Sequence, residues 1–425
     1  MKRYIDVFLG EPPVRVGTLY HDRQGSREHA AFEYSREWLA RPNAFALEPQ
    51  LPLFLGPQYH RKQRDGSIFH LCIADTEPDG WGRKIILRDH AKRRSIEAST
   101  TLETLCELDF LLAVDDFVRV GALRFRDETG TFLSTQPSSQ QLLAANLKDV
   151  ERILNASKAF EDHLETPQDL AYLLGRGTSL GGLRPKCSVI NEQGRLAIAK
   201  FPSITDERSV TKGEILALTL AHNAGINAAR GTLTAASNAS VAIIERFDRK
   251  SDGIRIPYIS AATMLGAENP SEEHSYTELV DVLRQHGSQP QSDIEELWRR
   301  MIFSILITNV DDHLHNHGFL YDRDGRWRLS PAFDLNPFPE RRRELKLWIS
   351  ESTGPGARID SALAVLPYFK IPAEKARSIV RQVEGAVQQW RQVGVTLGFH
   401  HAELTLFEAA FEHEERLAAR SFCTG

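Results

Sequence analysis

Residues 308–337 read TNVDDHLHNHGFLYDRDGRWRLSPAFDLNP, and this stretch decides how the rest of the chain is read. The seven residues before it, MIFSILI (301–307), are almost unbroken apolar sequence and run straight into two Asp and three His within positions 311–317. Burying charge without a partner costs free energy. A polar cluster delivered by a buried element is therefore better explained as a site than as surface. Beyond the cluster, Phe319, Leu320 and Tyr321 on one side and Trp327, Arg328 and Leu329 on the other flank a turn at 322–325 that contains Asp-Gly. Apolar residues around such a turn signal a hairpin, and this one hands the chain on to Asp334.

Asp311 and Asn316 are five residues apart, the offset at which a phosphoryl-transfer loop presents a proton acceptor and a carboxamide oxygen for magnesium on one side. In that layout Asp311 is the base, Asn316 is a metal ligand, and a second metal ligand arrives on an Asp after a short hairpin, here Asp334. Phe333-Asp334 resembles the Asp-Phe-Gly element of protein kinases, with Leu335 in place of the glycine and a Phe before the Asp. An Asp and an Asn at this offset also occur in ordinary solvated loops. The buried run that precedes them sets this pair apart.

Upstream, GRGTSLGGLRPK (175–186) holds four glycines in its first eight residues. Glycines permit positive φ and close backbone approach, which lets main-chain N–H groups cradle phosphate oxygens. Without further context such a run reads as a linker, and it is neither a Walker A sequence nor a clean Gly-x-Gly-x-x-Gly. A hairpin follows: Cys187 to Ile190, a turn at 191–194, then a strand ending in Lys200. A strand lysine just after a glycine-rich hairpin repeats the layout in which the ammonium reaches the α- and β-phosphates. A helix from about Lys212 to Asn223 carries Glu214 as the lysine's candidate partner. The apolar strand Ala242 to Asp248 is placed to offer adenine main-chain contacts at Glu245 and Phe247. Gly181, Gly182, Lys186, Asp248 and His315 complete the candidate nucleotide contacts.

The 425 residues are enough for two lobes with a sizeable core. A hydrophobic content of 41% argues against disorder, and 26% charged residues argue for solubility. The formal charge of -5 does not imply a generic nucleic-acid binder and leaves room for a local basic patch. No apolar run approaches the roughly 18 residues of a membrane span, and the opening MKRYID carries no signal-peptide pattern, so a cytoplasmic protein with no membrane partner is expected. The four cysteines form no Cys-x-x-Cys pair, suggesting reduced, structural thiols.

In chain order, alternation predicts a hairpin over residues 4–20, and Ala31 to Tyr34 with Trp38-Leu39 reads as strand or short helix. A helix is expected over Lys84 to Arg94, a second from about Thr101, and a strand over Val118 to Phe125. One helix is expected over Leu147 to Leu174. Beyond residue 260 the pattern turns helical, with a capping box at Ser292 to Glu295, a helix after Pro372 and another from Ala402 to Arg420. The expected fold is α+β, a protein-kinase-like two-lobe arrangement. A β-rich N-lobe spans 1–248, with an N-terminal subdomain over 1–125 and the glycine-rich loop and ATP-binding strands over 170–248. An α-helical C-lobe spans 249–425.

Five motifs occur in order: SLGGLRPK (179–186), AKFP (199–202), ERFDR (245–249), DDHLHN (311–316) and LSPAFD (329–334). In this the sequence resembles the HipA-type serine/threonine kinase toxins of toxin-antitoxin systems, over most of its length, with VGALR (120–124) matching that family's N-terminal subdomain. The resemblance implies ATP and Mg2+, and a protein substrate in translation such as an aminoacyl-tRNA synthetase. It also implies a helix-turn-helix antitoxin through which operator DNA is bound. Carried over by position, Lys200 binds ATP phosphates, Asp311 acts as base, Asn316 and Asp334 hold magnesium, and His313 supports the loop. Ser179 matches the serine that the family autophosphorylates, and a phosphate there opposes nucleotide binding. Two departures stand out. His315 occupies a position where the family commonly has Lys or Arg, so a full cation is replaced by a group only partly charged near neutral pH. Arg184 and Pro185 alter the centre of the glycine loop.

Two other classes compete. A nucleotide-binding pseudokinase acting as an antitoxin-binding corepressor is compatible with the His315 substitution. A metal-dependent phosphohydrolase using Asp311, His313, His315 and His317 requires the segment to be a strand, so that alternate histidines share a face. That second class leaves the glycine-rich loop and Lys200 unexplained.

Overall fold

A computed structural model describes residues 2–25, 27–62, 66–78, 80–96, 104–127, 129–133, 145–146, 149–177, 181–269, 272–339 and 341–424. The fold is mixed α/β and separates into two compact units. Met1–Thr205, Ala235–Ile259 and Gly266–Pro270 form the first; Asp206–Thr234, Ser260–Leu265 and Ser271–Gly425 form the second. The sequence reading cuts at 248, whereas the helix Val210–Asn223 gathers with the second unit. Among the described residues no helix is long and apolar enough to cross a membrane.

The first unit holds two sheets. In one, β1 (Lys2–Leu9), β2 (Val14–Gln24), β3 (Arg27–Tyr34), β4 (Gln58–Tyr59) and β5 (Leu123–Arg126) run in the order β4-β3-β2-β1-β5. The β1–β2 hairpin forms where alternation places it, with Ile5 opposite Leu19 and both buried. The strand expected over Val118 to Phe125 is shorter: only Leu123–Arg126 pairs, with Asp6 to Leu9. The reason is that side chains claim the backbone before it. Arg246 donates to the carbonyls of Val118 and Arg119, Arg249 donates to that of Arg119, and the Gly121 N–H donates to Asp248 at 2.7 Å, with Gly121 at φ +70°. Backbone groups satisfied in this way have no ladder to join.

The second sheet is five-stranded; β6 (Ala145–Asn146), β7 (Lys186–Ile190), β8 (Leu196–Lys200) and β9 (Ala239–Glu245) lie side by side in that order, and the strand Gly231–Ala236 follows beyond β9. The β7–β8 turn falls at 191–194 as expected, closed by Arg195 N–H on the Asn191 side chain at 2.9 Å. Trp81, Ile85, Ile153, Leu154, Phe160, Leu170 and Leu173 pack with Val189, Ala197, Phe201 and Ile243 as one core. The long helix expected over 147–174 is two, Val150–Glu161 and Pro167–Gly177. Pro167 cannot continue a helix but suits the start of one, and Thr166 with Asp169 exchanges side-chain and backbone hydrogen bonds there.

The second unit is mainly helical. The helix Tyr276–His286 starts on a Ser275–Glu278 capping box. The next spans Pro290–Leu306, so the start expected at Ser292 moves to Pro290. Asp293 does not cap; it is buried and accepts both Arg328 nitrogens and the Leu329 N–H, fastening the hairpin to this helix. That hairpin, Gly318–Arg323 with Arg326–Leu329, pairs Phe319 with Leu329. Its turn has Asp324 and Gly325 both at positive φ, as a type I′ turn requires. The last helix expected is again two, His401–Phe411 and Glu414–Thr424, with Phe411 stacked on Trp390.

Candidate functional site

In the second unit the helix Pro290–Leu306 is buried along its last turns and ends just before the polar loop. Thr308 leaves it at φ +53°, and a 3-10 turn over Leu314–Asn316 brings the loop back on itself. The turn returns Asn316 to Asp311: its Nδ2 donates to the Asp311 carbonyl at 3.2 Å. With the amide nitrogen committed, the carboxamide oxygen is the atom left to ligate. The loop is stitched to the segment that carries Asp334, since Asn336 N–H donates to the Asn309 side chain at 3.1 Å and Phe338 N–H to the Thr308 carbonyl at 3.2 Å. Asp334 itself sits at φ +55°, a conformation that is uncommon outside glycine and clusters at functional sites. Asn336 Nδ2 donates to its Oδ1 at 3.3 Å.

Sequence reasoning missed two parts of this loop. Asp311 Oδ1 is held by Lys346 Nζ at 2.5 Å and Arg341 Nη1 at 3.1 Å. The only hint of Lys346 is the alternation Leu345-Lys346-Leu347, which buries the leucines and turns the lysine outward. The neighbouring Asp312 faces the other way and is buried. His317 Nε2 lies 2.9 Å from its Oδ1, and the Tyr276 hydroxyl donates to its Oδ2. Burial would raise its pKa; His317 and then Tyr276 more than offset this and hold the carboxyl below the usual range, while burial pushes the Tyr276 hydroxyl up. Two adjacent aspartates thus divide their work, one open to the site and one anchoring the loop. His313 is half-buried, with its pKa lowered first by burial and then by His315, whose ring lies 6.0 Å away and is exposed.

The 3-10 turn removes the basis of the phosphohydrolase reading. The segment is no strand, and His317 is spent on Asp312. Among the described residues, the grouping of three or more His, Cys, Asp or Glu side chains close enough to share an ion lies elsewhere, at His21, Glu28 and Cys106.

In the first unit, Lys186 lies directly opposite Lys200 across the β7–β8 ladder, and Lys200 opposite Ala242 on β9. Like charges facing each other across a ladder repel. The pair suits a polyanion. Lys186 Nζ donates to the Gly181 carbonyl, and a Cβ at Gly182, which has φ +92°, would lie 2.6 Å from that nitrogen. Gly80 comes equally close beneath the loop: its Cβ would meet the Gly182 carbonyl at 2.5 Å, and Trp81 N–H donates to that oxygen at 2.9 Å. Ser179 lies outside the described residues.

Glu245 pairs through its backbone with Ala197, and its carboxylate is taken by Arg195 and Asn191. Phe247 is half-buried beside Tyr258, with ring centres 6.1 Å apart. Asp248 is placed in a lattice that the sequence did not reveal. Its Oδ1 accepts from Arg246, and its Oδ2 accepts from Arg246, Arg249 and the Gly121 N–H. Burial favours the neutral acid, but the facing guanidiniums outweigh it and hold this carboxyl far below the usual range. Its bonds serve the corner built on 118–121, which argues against the nucleotide contact expected of it.

The chain is mixed α/β, with a lysine-bearing hairpin in one unit and a helix-fed Asp–Asn loop in the other, and comparison with known proteins identifies its family. The HipA N-terminal domain matches residues 5–109 and the HipA-like C-terminal domain matches residues 178–390, half of the chain. The chain belongs to the HipA family. "Putative kinase Y4mE" of Sinorhizobium fredii is 25% identical over 345 residues, 75% of this chain and 74% of that protein. A "Putative kinase" of Haemophilus influenzae is 25% identical over 195 residues, 39% of this chain and 55% of that protein. The HipA chain solved with HipB and operator DNA from Shewanella oneidensis MR-1 superposes with a TM-score of 0.67 at 15% identity, over 99% of this chain and 96% of that one, so the fold is shared.

Proposed function

We propose that this protein is an ATP- and Mg2+-dependent serine/threonine protein kinase with a kinase-like two-lobe layout, acting as the toxin of a toxin-antitoxin pair. The observation that carries this reading is the return of Asn316 onto the Asp311 backbone, which brings the amide-bearing and carboxylate-bearing residues together just after a buried helix. Carboxylate and carboxamide oxygens are hard donors that suit magnesium, so Asn316 and Asp334 are the residues to hold it. Magnesium, when bound, neutralises charge on the transferred phosphoryl group. Asp311 orients the substrate hydroxyl and accepts its proton. Lys186 and Lys200 bind the nucleotide phosphates beneath Gly181 and Gly182. The family, the kinase-named relatives and the fold shared with a HipA–HipB–operator complex support the same reading.

Ser179 is then the autophosphorylated residue, a helix-turn-helix antitoxin is the partner that brings operator DNA, and a translation protein such as an aminoacyl-tRNA synthetase is the substrate. ATP labelled on its γ-phosphate, incubated with the protein and a cell lysate, tests the activity. Label should appear on the protein or on a lysate band, and Asp311→Asn should lose it by about 10²-fold or more. No label on either refutes the kinase. ATP-dependent thermal stabilisation without any label would instead favour a nucleotide-binding corepressor.

A further inference from the structure

We propose that His21, Glu28 and Cys106 form a binding site for one thiophilic divalent ion of the zinc class, inside the first unit and independent of the kinase chemistry. His21 lies on β2 opposite Ala30, and Glu28 on β3 opposite Arg23, so the two are diagonal neighbours across one hairpin. Cys106 is the N-cap of the helix Glu107–Ala113, which brings its sulfur to the same place. One ligand atom from each residue lies within 4.8 Å of the other two, and His21 Nε2 is 3.3 Å from Glu28 Oε2. With Zn–N and Zn–O bonds of about 2.0–2.1 Å and Zn–S of about 2.3 Å, tetrahedral ligand atoms stand roughly 3.3–3.8 Å apart. The cluster is within a small side-chain adjustment of that geometry. Three protein ligands leave a fourth position for water.

His21 is 3% exposed; its Nε2 meets Glu28 Oε2 at 3.3 Å, an interaction an ion would replace, and its Nδ1 is buried with no hydrogen-bond partner. A neutral imidazole has one donor and one acceptor nitrogen, so one of them can serve an ion. Glu28 Oε2 accepts the Glu107 N–H at 3.0 Å, yet among the described residues no Lys or Arg pairs with this carboxylate. Arg3, which faces His21 across β1–β2, is engaged by Asp109 at 2.9 Å. A carboxylate, an imidazole and a thiol thus share a corner flanked by Arg3 and by Arg23, which faces Glu28 and donates to the Thr104 carbonyl. The Glu28 side chain, 16% exposed, gives an ion its way in. Bound there, the ion would tie the β2–β3 hairpin to the helix that follows residue 106.

The test uses the full chain, stripped with a chelator and titrated with Co2+. The expected result is one equivalent bound with a thiolate-to-cobalt charge-transfer band and the visible bands of a tetrahedral ion, both displaced by Zn2+. Cys106→Ser removes the soft ligand but keeps an oxygen that caps the helix at least as well, so it should fold normally. It should lose the charge-transfer band and bind at least ~10-fold more weakly. His21→Gln should weaken binding likewise. Zn2+ should raise the Tm of the unsubstituted protein and leave that of Cys106→Ser unchanged. Absence of the band at one equivalent overturns the proposal, as does a band that survives in Cys106→Ser, which would place the ion on another thiol.

Discussion

Replacing Asp248 with Asn separates a structural carboxylate from a nucleotide contact. The side chain is 4% exposed and accepts two bonds from Arg246, one from Arg249 and one from the Gly121 N–H. Arg246 is itself 8% exposed and also carries the carbonyls of Val118 and Arg119, so removing the charge strands a buried cation and loosens the corner it supports. Breaking one side of a buried ion network costs about 3–5 kcal/mol. Within a unit of this size each kcal/mol moves Tm by about 2–4 °C, so the first unfolding transition of Asp248→Asn should fall by about 6–20 °C. Because the folded pKa lies below the unfolded one, the carboxylate's contribution is fully present above the unfolded value, near 3.9. It is lost only as pH falls through the folded value. The variant's deficit should therefore be constant from pH 7 to 5, and should shrink only in strong acid. Differential scanning calorimetry over that range, paired with an ATP titration, is the assay. A Tm shift under about 2 °C together with a weakened affinity for ATP would refute this reasoning and return Asp248 to the nucleotide site.

Burial pushes the Glu77 carboxyl up to about 8, with Ser67 donating to one oxygen at 2.8 Å and the other buried without a partner. A proton held in the folded state and released in the unfolded one makes stability fall as pH rises from about 4.3 towards 8; Glu77→Gln should abolish that slope by a few kcal/mol on denaturant melts, and an unchanged slope argues otherwise. Lys346→Ala removes one of two cations from Asp311 at a partly exposed pair worth up to about 1 kcal/mol. The expected result is kcat lowered about 5-fold with Tm unaltered, and an undiminished kcat counts against a positioning role. Gly80→Ala drives a methyl into the Gly182 carbonyl, so the glycine loop should shift and KM for ATP rise by ~10-fold or more. Equal KM values would show that the loop tolerates the displacement.

Local pattern carried much of the fold. The β1–β2 and β7–β8 hairpins, the Asp-Gly turn and the helix feeding the loop all follow from alternation, turn residues and apolar runs near in sequence. Some failures are local, as where Pro167 breaks the helix expected over 147–174; others have partners distant in sequence. Val118 to Gly121 has the alternation of a strand, but its backbone is claimed by Arg246, Arg249 and Asp248 more than a hundred residues later. The capping box read at Ser292 to Glu295 falls inside a helix that starts at Pro290, and Asp293 within it is claimed by Arg328, 35 residues away. At the site, the offset from Asp311 to Asn316 was legible because one short turn closes it. Lys346 and the Tyr276–Asp312–His317 set were not, since no spacing rule links residues 276, 312 and 346.

Lys346 N–H donates to the Val310 carbonyl at 3.2 Å and Leu347 N–H to the Asp312 carbonyl at 2.9 Å, on either side of Asp311. The main chain bearing the lysine is therefore zipped to the main chain bearing its carboxylate partner. Whatever tugs on residues 341–347 from outside, a docking protein for instance, drags acid and ammonium together, so their spacing survives displacement even when their position does not. A surface strip that ordinarily would be free to diverge is here harnessed to the carboxylate it steadies.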